Sequence, residues 1–318
     1  MKKHIFTVII LLLVVAAGAI FWQVRENEQL EAQQRQKITL AYEQESRQLY
    51  NERGQLEDEL AAVNAMDPEA GLNLGSLIIM FAEPDAHIMT DVLPKMNEYG
   101  YKGMIAVSNS YFPGDEGCLT AADMQSLVSA GWELALSVTD GDDLLVLLQR
   151  VQSLGLTTTG YVYIADGTAA VDWQTRLSAL GLKTLVYRDA VPEKTGDLWL
   201  IEAKGSNDTG SSAKLTACAE SSICLIMTVG FQNSYEMYTE KNFNNMLAAI
   251  HKFEDAGQLV VANSQTARAR LQARQEAVAA NEATIRQRQE ELNAALDVNM
   301  QQIEAVNQKY SNLMRNPQ

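Results

Sequence analysis

Residues able to do chemistry are few in this chain. It has three histidines, His4, His87 and His251, and three cysteines, Cys118, Cys218 and Cys224. The cysteine spacings fit neither a zinc site nor a disulfide framework. Cys218 and Cys224 are near enough to pair in an oxidising compartment, which would leave Cys118 free. The other reading makes Cys224, inside the apolar run Ile223–Met227, a buried small hydrophobe. Glu83, Asp85 and His87 lie close in sequence and could approach a cation. Against that stands Pro84, which suits the first turn of a helix, where acidic neighbours complement the dipole. His87 is then an ordinary surface residue. Asp140-Gly141-Asp142-Asp143 resembles a cation loop but lacks the closing glutamate of an EF-hand, so it reads as a turn and helix start. The loop Tyr111-Phe112-Pro113-Gly114-Asp115 offers Tyr111 and Phe112 as exposed aromatic groups for recognition. Trp132, Trp173 and Trp199 could stack on sugar rings, but each lies in an amphipathic or apolar run and reads as core.

The elements that must position these residues follow a rhythm. Helical stretches close on Gly100, Gly131, Gly155 and Gly181, as suits the left-handed residue that ends a helix. Short β-rich runs follow each: Met104–Val107, Leu134–Val138, Tyr161–Ile164 and Thr184–Tyr187. Leu77–Phe81 opens the series, and Leu198–Ala203, Ile223–Val229 and Leu259–Ala262 close it. Leu144, Leu147, Leu148, Val151 and Leu154 mark one apolar helix face. Thr120 and Asp123 have the spacing of a capping box. Strands alternating with helices predict a parallel sheet, and seven or eight such units can close into a barrel. Such a scaffold presents its chemistry at the C-terminal strand ends. Those ends carry no cluster of His, Asp or Glu fit for catalysis.

The order of strand, Leu-Pro-Lys helix, strand, Leu119–Leu134 (LTAADMQSLVSAGWEL) and strand resembles a polysaccharide deacetylase-like domain of the NodB-homology type, over about residues 76–264. The resemblance implies an irregular (β/α) barrel. It also implies a first motif Thr-Phe-Asp-Asp-Gly supplying a general base and a metal ligand. Here Met80-Phe81-Ala82-Glu83-Pro84 stands there, with Ala82 at the base position and Glu83 at the ligand position. Gly131-Trp132-Glu133 keeps the lead-in to a second motif, but Ser137 replaces its first metal-binding histidine and Gly141 stands four residues on. The third region reads Tyr163-Ile164-Ala165-Asp166-Gly167, without the family's Arg and Pro. Leu225-Ile226-Met227-Thr228 lacks the last motif's histidine. Deacetylation through a metal needs a Lewis acid and a base. The resemblance, with these positions changed, implies no catalytic residue, no metal and no cofactor. It leaves Glu83, Asp85, Tyr111, Phe112 and Asp166 as binding candidates.

The flanks differ in kind. Lys2 and Lys3 precede an uncharged stretch from Ile5 to Val24, about 30 Å as a helix, which predicts a single membrane-spanning anchor over residues 1–24. A cleaved signal ending near Ala17-Gly18-Ala19 is the rival. Residues 25–66 place Tyr42, Leu49, Leu56 and Val63 seven apart, and Asp67-Pro68 ends that helix. Residues 265–318 repeat Leu271, Val278, Ile285, Leu292, Asn299, Val306 and Leu313 at the same interval. Two coiled-coil helices are predicted, flanking a barrel domain at 67–264. They would pair as an intramolecular hairpin or in a homodimer. Of the net charge of −15, residues 67–262 carry −14, which argues against nucleic acid. The sequence thus predicts an extracytoplasmic protein on the bacterial cytoplasmic membrane. Its inactive deacetylase-like domain would bind a glycan, or scaffold or regulate an envelope enzyme. An active carbohydrate deacetylase with displaced metal ligands and a structural spacer are the alternatives.

Overall fold

The computed structural model describes residues 2–139, 144–164, 173–188, 190, 193–195, 197–206, 210–220, 222–231 and 238–315. At residues 2–10, 174, 193 and 195 it describes the backbone alone. The chain divides into two compact units, residues 68–281 and residues 1–67 with 282–318.

The first unit is built on parallel strands. β1 (Gly75–Phe81), β2 (Met104–Val107), β3 (Glu133–Val138), β4 (Tyr161–Ile164), β5 (Thr184–Arg188), β7 (Leu198–Gly205) and β8 (Cys224–Val229) pair in the order β2-β3-β4-β5-β7-β8-β1. A further β1–β2 pairing, Met80 with Met104 and Phe81 with Ile105, closes them into a seven-stranded parallel barrel. The short β6 (Glu193–Thr195) runs antiparallel to β7. β9 (Leu259–Val261) pairs with the first residues of β1, below the point where β2 joins it.

Both faces of these strands are buried, so they read as nearly continuous apolar runs. Alternation then assigns the faces. Ile78, Met80, Ala106, Ala135, Tyr161, Tyr163, Ile201 and Ile226 fill the barrel. Leu77, Ile79, Phe81, Ile105, Leu134, Leu136 and Leu225 pack outward against the helices. Small and large residues share a level inside: Ala106 pairs with Ala135, while Tyr161 and Trp199 flank Thr184. α2 (Leu93–Glu98), α3 (Ala121–Ser129), α4 (Leu144–Ser153), α5 (Trp173–Ala179), α6 (Ser211–Glu220) and α7 (Glu240–Asp255) supply the outer layer. α3 starts on a capping box: Thr120 Oγ1 accepts from the Asp123 N–H, and Asp123 accepts from the Thr120 N–H. Gly100, Gly131, Gly155 and Gly181 all have positive φ after their helices.

The barrel unit runs past the expected boundary at residue 264. α8 (Ser264–Arg315) begins at the N-terminal end of the barrel, where Ala267 and Leu271 join the interior core. Glu133 accepts from both the N–H and the hydroxyl of Ser264 at 2.7 Å. Tyr161 donates to the Ser264 carbonyl at 3.2 Å. Burial is why Leu271 leaves the heptad series: its partner is the barrel floor rather than a helix.

In the second unit α1 (Lys2–Asn64) lies antiparallel to the later part of α8. Tyr42 donates to Asn307, Tyr310 to Glu45, and Asn299 to the Leu49 carbonyl, while Arg288 meets Glu59 at 3.0 Å. Val63, Leu292, Asn299, Ile303, Val306 and Tyr310 are buried, but Leu313 is exposed.

Among the described residues no helix is long and apolar enough to cross a membrane. This corrects the expected single-pass anchor and, with it, the placement at a bacterial cytoplasmic membrane. Described apolar side chains run from Leu11 to Val24, about 21 Å of helix, before Arg25, Glu26 and Glu28. Ile5 to Ile10 lie outside the described side chains.

Candidate functional site at the barrel mouth

The C-terminal strand ends place a small set of side chains around the mouth. Ala82 follows β1 and belongs to the interior cluster. Ser137 on β3 is two residues beyond the inward Ala135, and it pairs with Tyr163 of β4. By the same alternation Arg188 of β5 and Thr228 of β8 follow the inward Val186 and Ile226. Ser137 and Thr228 are buried. Among the described residues the inner wall is therefore alanine, serine, tyrosine, threonine and arginine. Tyr163 and Thr228 lie in stretches compared with family motifs in the sequence, but neither they nor Arg188 stand out there as candidate site residues. The signal for them is the period-two count along each strand from a residue known to point inward.

The loop after β1 carries the acidic groups. Glu83 is buried, and its Oε2 accepts from the Phe231 N–H at 2.9 Å. Asp85 is buried too. Its Oδ1 accepts from the His87 N–H at 2.8 Å and lies 2.6 Å from His87 Nδ1. The hydrogen bond to Asp85, aided by the Asp85 charge, raises the His87 pKa above the usual histidine value. The His87 ring stacks near-parallel on Phe231, with centroids 6.2 Å apart. The side chain is 66% exposed, yet it is pinned on two sides, which the reading of an ordinary surface histidine does not anticipate.

A second loop, between β2 and α3, is strapped to the first. Ala86 N–H donates to the Gly117 carbonyl and Leu119 N–H to the Pro84 carbonyl. Cys118 sits in this strap, and burial, with Asp115, Asp85 and Glu83 nearby, pushes its thiol pKa up. It is thereby held as a thiol and not as a nucleophilic thiolate. Tyr111 is exposed. Phe112 is not: it is 6% exposed, with the Arg150 guanidinium 4.0 Å above its ring. That corrects its assignment as an exposed aromatic, because a cation from α4 covers it. Asp166 and Asp140-Gly141-Asp142-Asp143 lie outside the described residues. Trp132, Trp173 and Trp199 are buried and take no part in the mouth. All three cysteines are free thiols; burial pushes Cys224 up to about 11 and Cys218 higher still.

The zinc implied by the deacetylase resemblance does not fit this wall. Ala82 and Ser137 offer no ligand of the required type, and Glu83 Oε2 is directed at a backbone N–H. Among the described residues no three His, Cys, Asp or Glu side chains gather to hold a metal ion.

Fold and site define a seven-stranded parallel (β/α) barrel whose mouth, among the described residues, is polar and gathers no set of metal ligands. No family model and no curated protein matches the chain. Among solved structures it is similar to one from Mycobacterium smegmatis assigned as a polysaccharide deacetylase. Identity there is 12%, TM-score 0.43, over 64% of this chain and 93% of that one. It is also similar to the Xyl-CE4 domain of a multidomain xylanase from the hindgut metagenome of Trinervitermes trinervoides, at 11% identity and TM-score 0.39, over 60% and 88%. A third is the 4-alpha-glucanotransferase from Thermococcus litoralis, at 12% identity and TM-score 0.38, over 61% of this chain and 40% of that one. Likeness at this level identifies neither family nor activity.

Proposed function

We propose that the barrel is a non-catalytic, deacetylase-like binding domain that takes a neutral, acetylated glycan at its mouth. The observation behind this reading is the inner wall itself. Where metal-assisted hydrolysis needs a base and histidine ligands, the chain has Ala82 and Ser137, and the carboxylates beside them are tied into the loops. The described wall otherwise carries hydroxyls, a tyrosine and an arginine, residue types suited to hydrogen-bonding a sugar rather than activating water. We take the two long helices as each other's partner within one chain, a reading supported by the hydrogen bonds between Asn299 and Leu49 and between Tyr310 and Glu45.

The test is a metal analysis of the purified full chain after zinc loading and desalting, run beside acetate release from acetylated chitooligosaccharides. The reading expects no stoichiometric zinc and no metal-dependent acetate. Stoichiometric zinc with metal-dependent turnover would replace it by an active deacetylase with displaced ligands.

A further inference from the structure

His87 stands on the loop after β1, at the rim where the strands end, and its setting is unusual for an exposed side chain. Ordering such a side chain on a surface forfeits rotamer freedom, on the order of 1 kcal/mol. Here the ring is fixed by a buried carboxylate at 2.6 Å and by the face of Phe231. Phe231 is in turn held by its N–H on Glu83. The loop that carries Asp85 is strapped to the neighbouring loop on both sides of the Asp85–Cys118 bridge. All of this order ends in an imidazole that stays mostly in solvent, so the barrel core gains little packing from it. A polar group held rigid while exposed, on the rim of a barrel, is what a ligand subsite requires, because the ordering cost is met before the ligand arrives. Asp85 occupies Nδ1, so the nitrogen left to a ligand is Nε2.

We propose that His87, oriented by Asp85, is the polar anchor of this mouth, its Nε2–H donating to the carbonyl oxygen of an acetyl group on a neutral sugar. This rests on the glycan-binding reading above. A neutral acceptor suits the surroundings better than an anionic ligand, because Glu83, Asp85, Asp91 and Asp115 already make this side of the barrel acidic. Among the described residues the charged groups acting on the ring are Asp85 and Asp91, and both favour the imidazolium. A charged donor makes a stronger hydrogen bond than a neutral one.

The test is calorimetric titration of the full chain with N-acetylated chitooligosaccharide, from about pH 6 to about pH 9, which brackets an elevated histidine pKa. Wild-type affinity should fall as pH rises through the His87 titration. His87→Ala should weaken binding at the lower pH by about tenfold or more and flatten the profile. His87→Gln, which keeps an uncharged N–H donor, should recover part of the affinity with no pH dependence. Asp85→Asn should move the midpoint down. Melting curves of each variant show whether it is folded. If the wild type binds and His87→Ala binds equally well, the anchor fails while the glycan-binding reading stands. If the wild type binds nothing across the range, the broader reading falls and takes the anchor with it.

Discussion

Asp85 sets the protonation of His87, and that linkage has a sign. The folded pKa of His87 is raised, chiefly by the hydrogen bond to Asp85. The pair therefore stabilises the fold fully below the unfolded histidine pKa of about 6.5, and the contribution is lost as pH rises through the higher folded value. The ring is two-thirds exposed, so solvent screening keeps this contribution small. Asp85→Asn should return the His87 titration toward its ordinary position, followed through the ring protons by NMR. An unchanged midpoint would mean that the close contact carries no electrostatic weight. At this scale the sequence was partly legible. It set Ala82 and Ser137 at the positions where the resemblance expects a base and a histidine, and it brought Glu83, Asp85 and His87 together. It could not show the pinning of His87, because Phe231 comes from a loop 144 positions away. Nor could it show that Arg150 covers Phe112, since that contact depends on how α4 packs.

Elements are held by a few close approaches that admit no larger residue. A Cβ at Gly75 would lie 2.5 Å from the Cys218 carbonyl oxygen and 2.9 Å from that of Gln258, both backbone atoms that cannot swing aside. Gly75→Ala should therefore destabilise the barrel by about 1–3 kcal/mol, read as a lowered urea midpoint. An unchanged midpoint would mean that β1 can shift at no cost. Glu133 holds the start of α8 through two short hydrogen bonds to Ser264. Glu133→Ala should cost about 1.5–3 kcal/mol, and a melting temperature equal to the wild type would show that the grip is idle. Strand and helix order were legible from alternating apolar runs and helix-ending glycines. The barrel floor was not. Leu271 has the spacing of a helix–helix seam, and periodicity cannot reveal that its partner is the inside of a barrel.

For the whole chain, the long helices carry the clearest test. Leu292 is 2% exposed on the seam with α1, whereas Leu313, seven-residue steps further along the same series, is 39% exposed. Leu292→Asp should loosen the helix pair by roughly 3 kcal/mol or more, while Leu313→Asp should change little. If the pairing is intramolecular, both variants remain monomeric by light scattering and their melting is independent of concentration. Concentration-dependent melting of the wild type would point to pairing between chains. The spacing announced a helix that needs a partner, but identical seams serve a hairpin and a dimer, so the choice was not in the sequence.

The central claim, a mouth that binds acetylated sugar without hydrolysing it, is open to one proton NMR experiment. The full chain, with zinc added, is mixed with N-acetylated chitooligosaccharide, and the ligand resonances and the free acetate methyl signal are followed together. The ligand signals should broaden and show saturation transfer from the protein while the acetate signal stays at the protein-free level. An acetate signal that grows with time and vanishes on chelation would contradict the account.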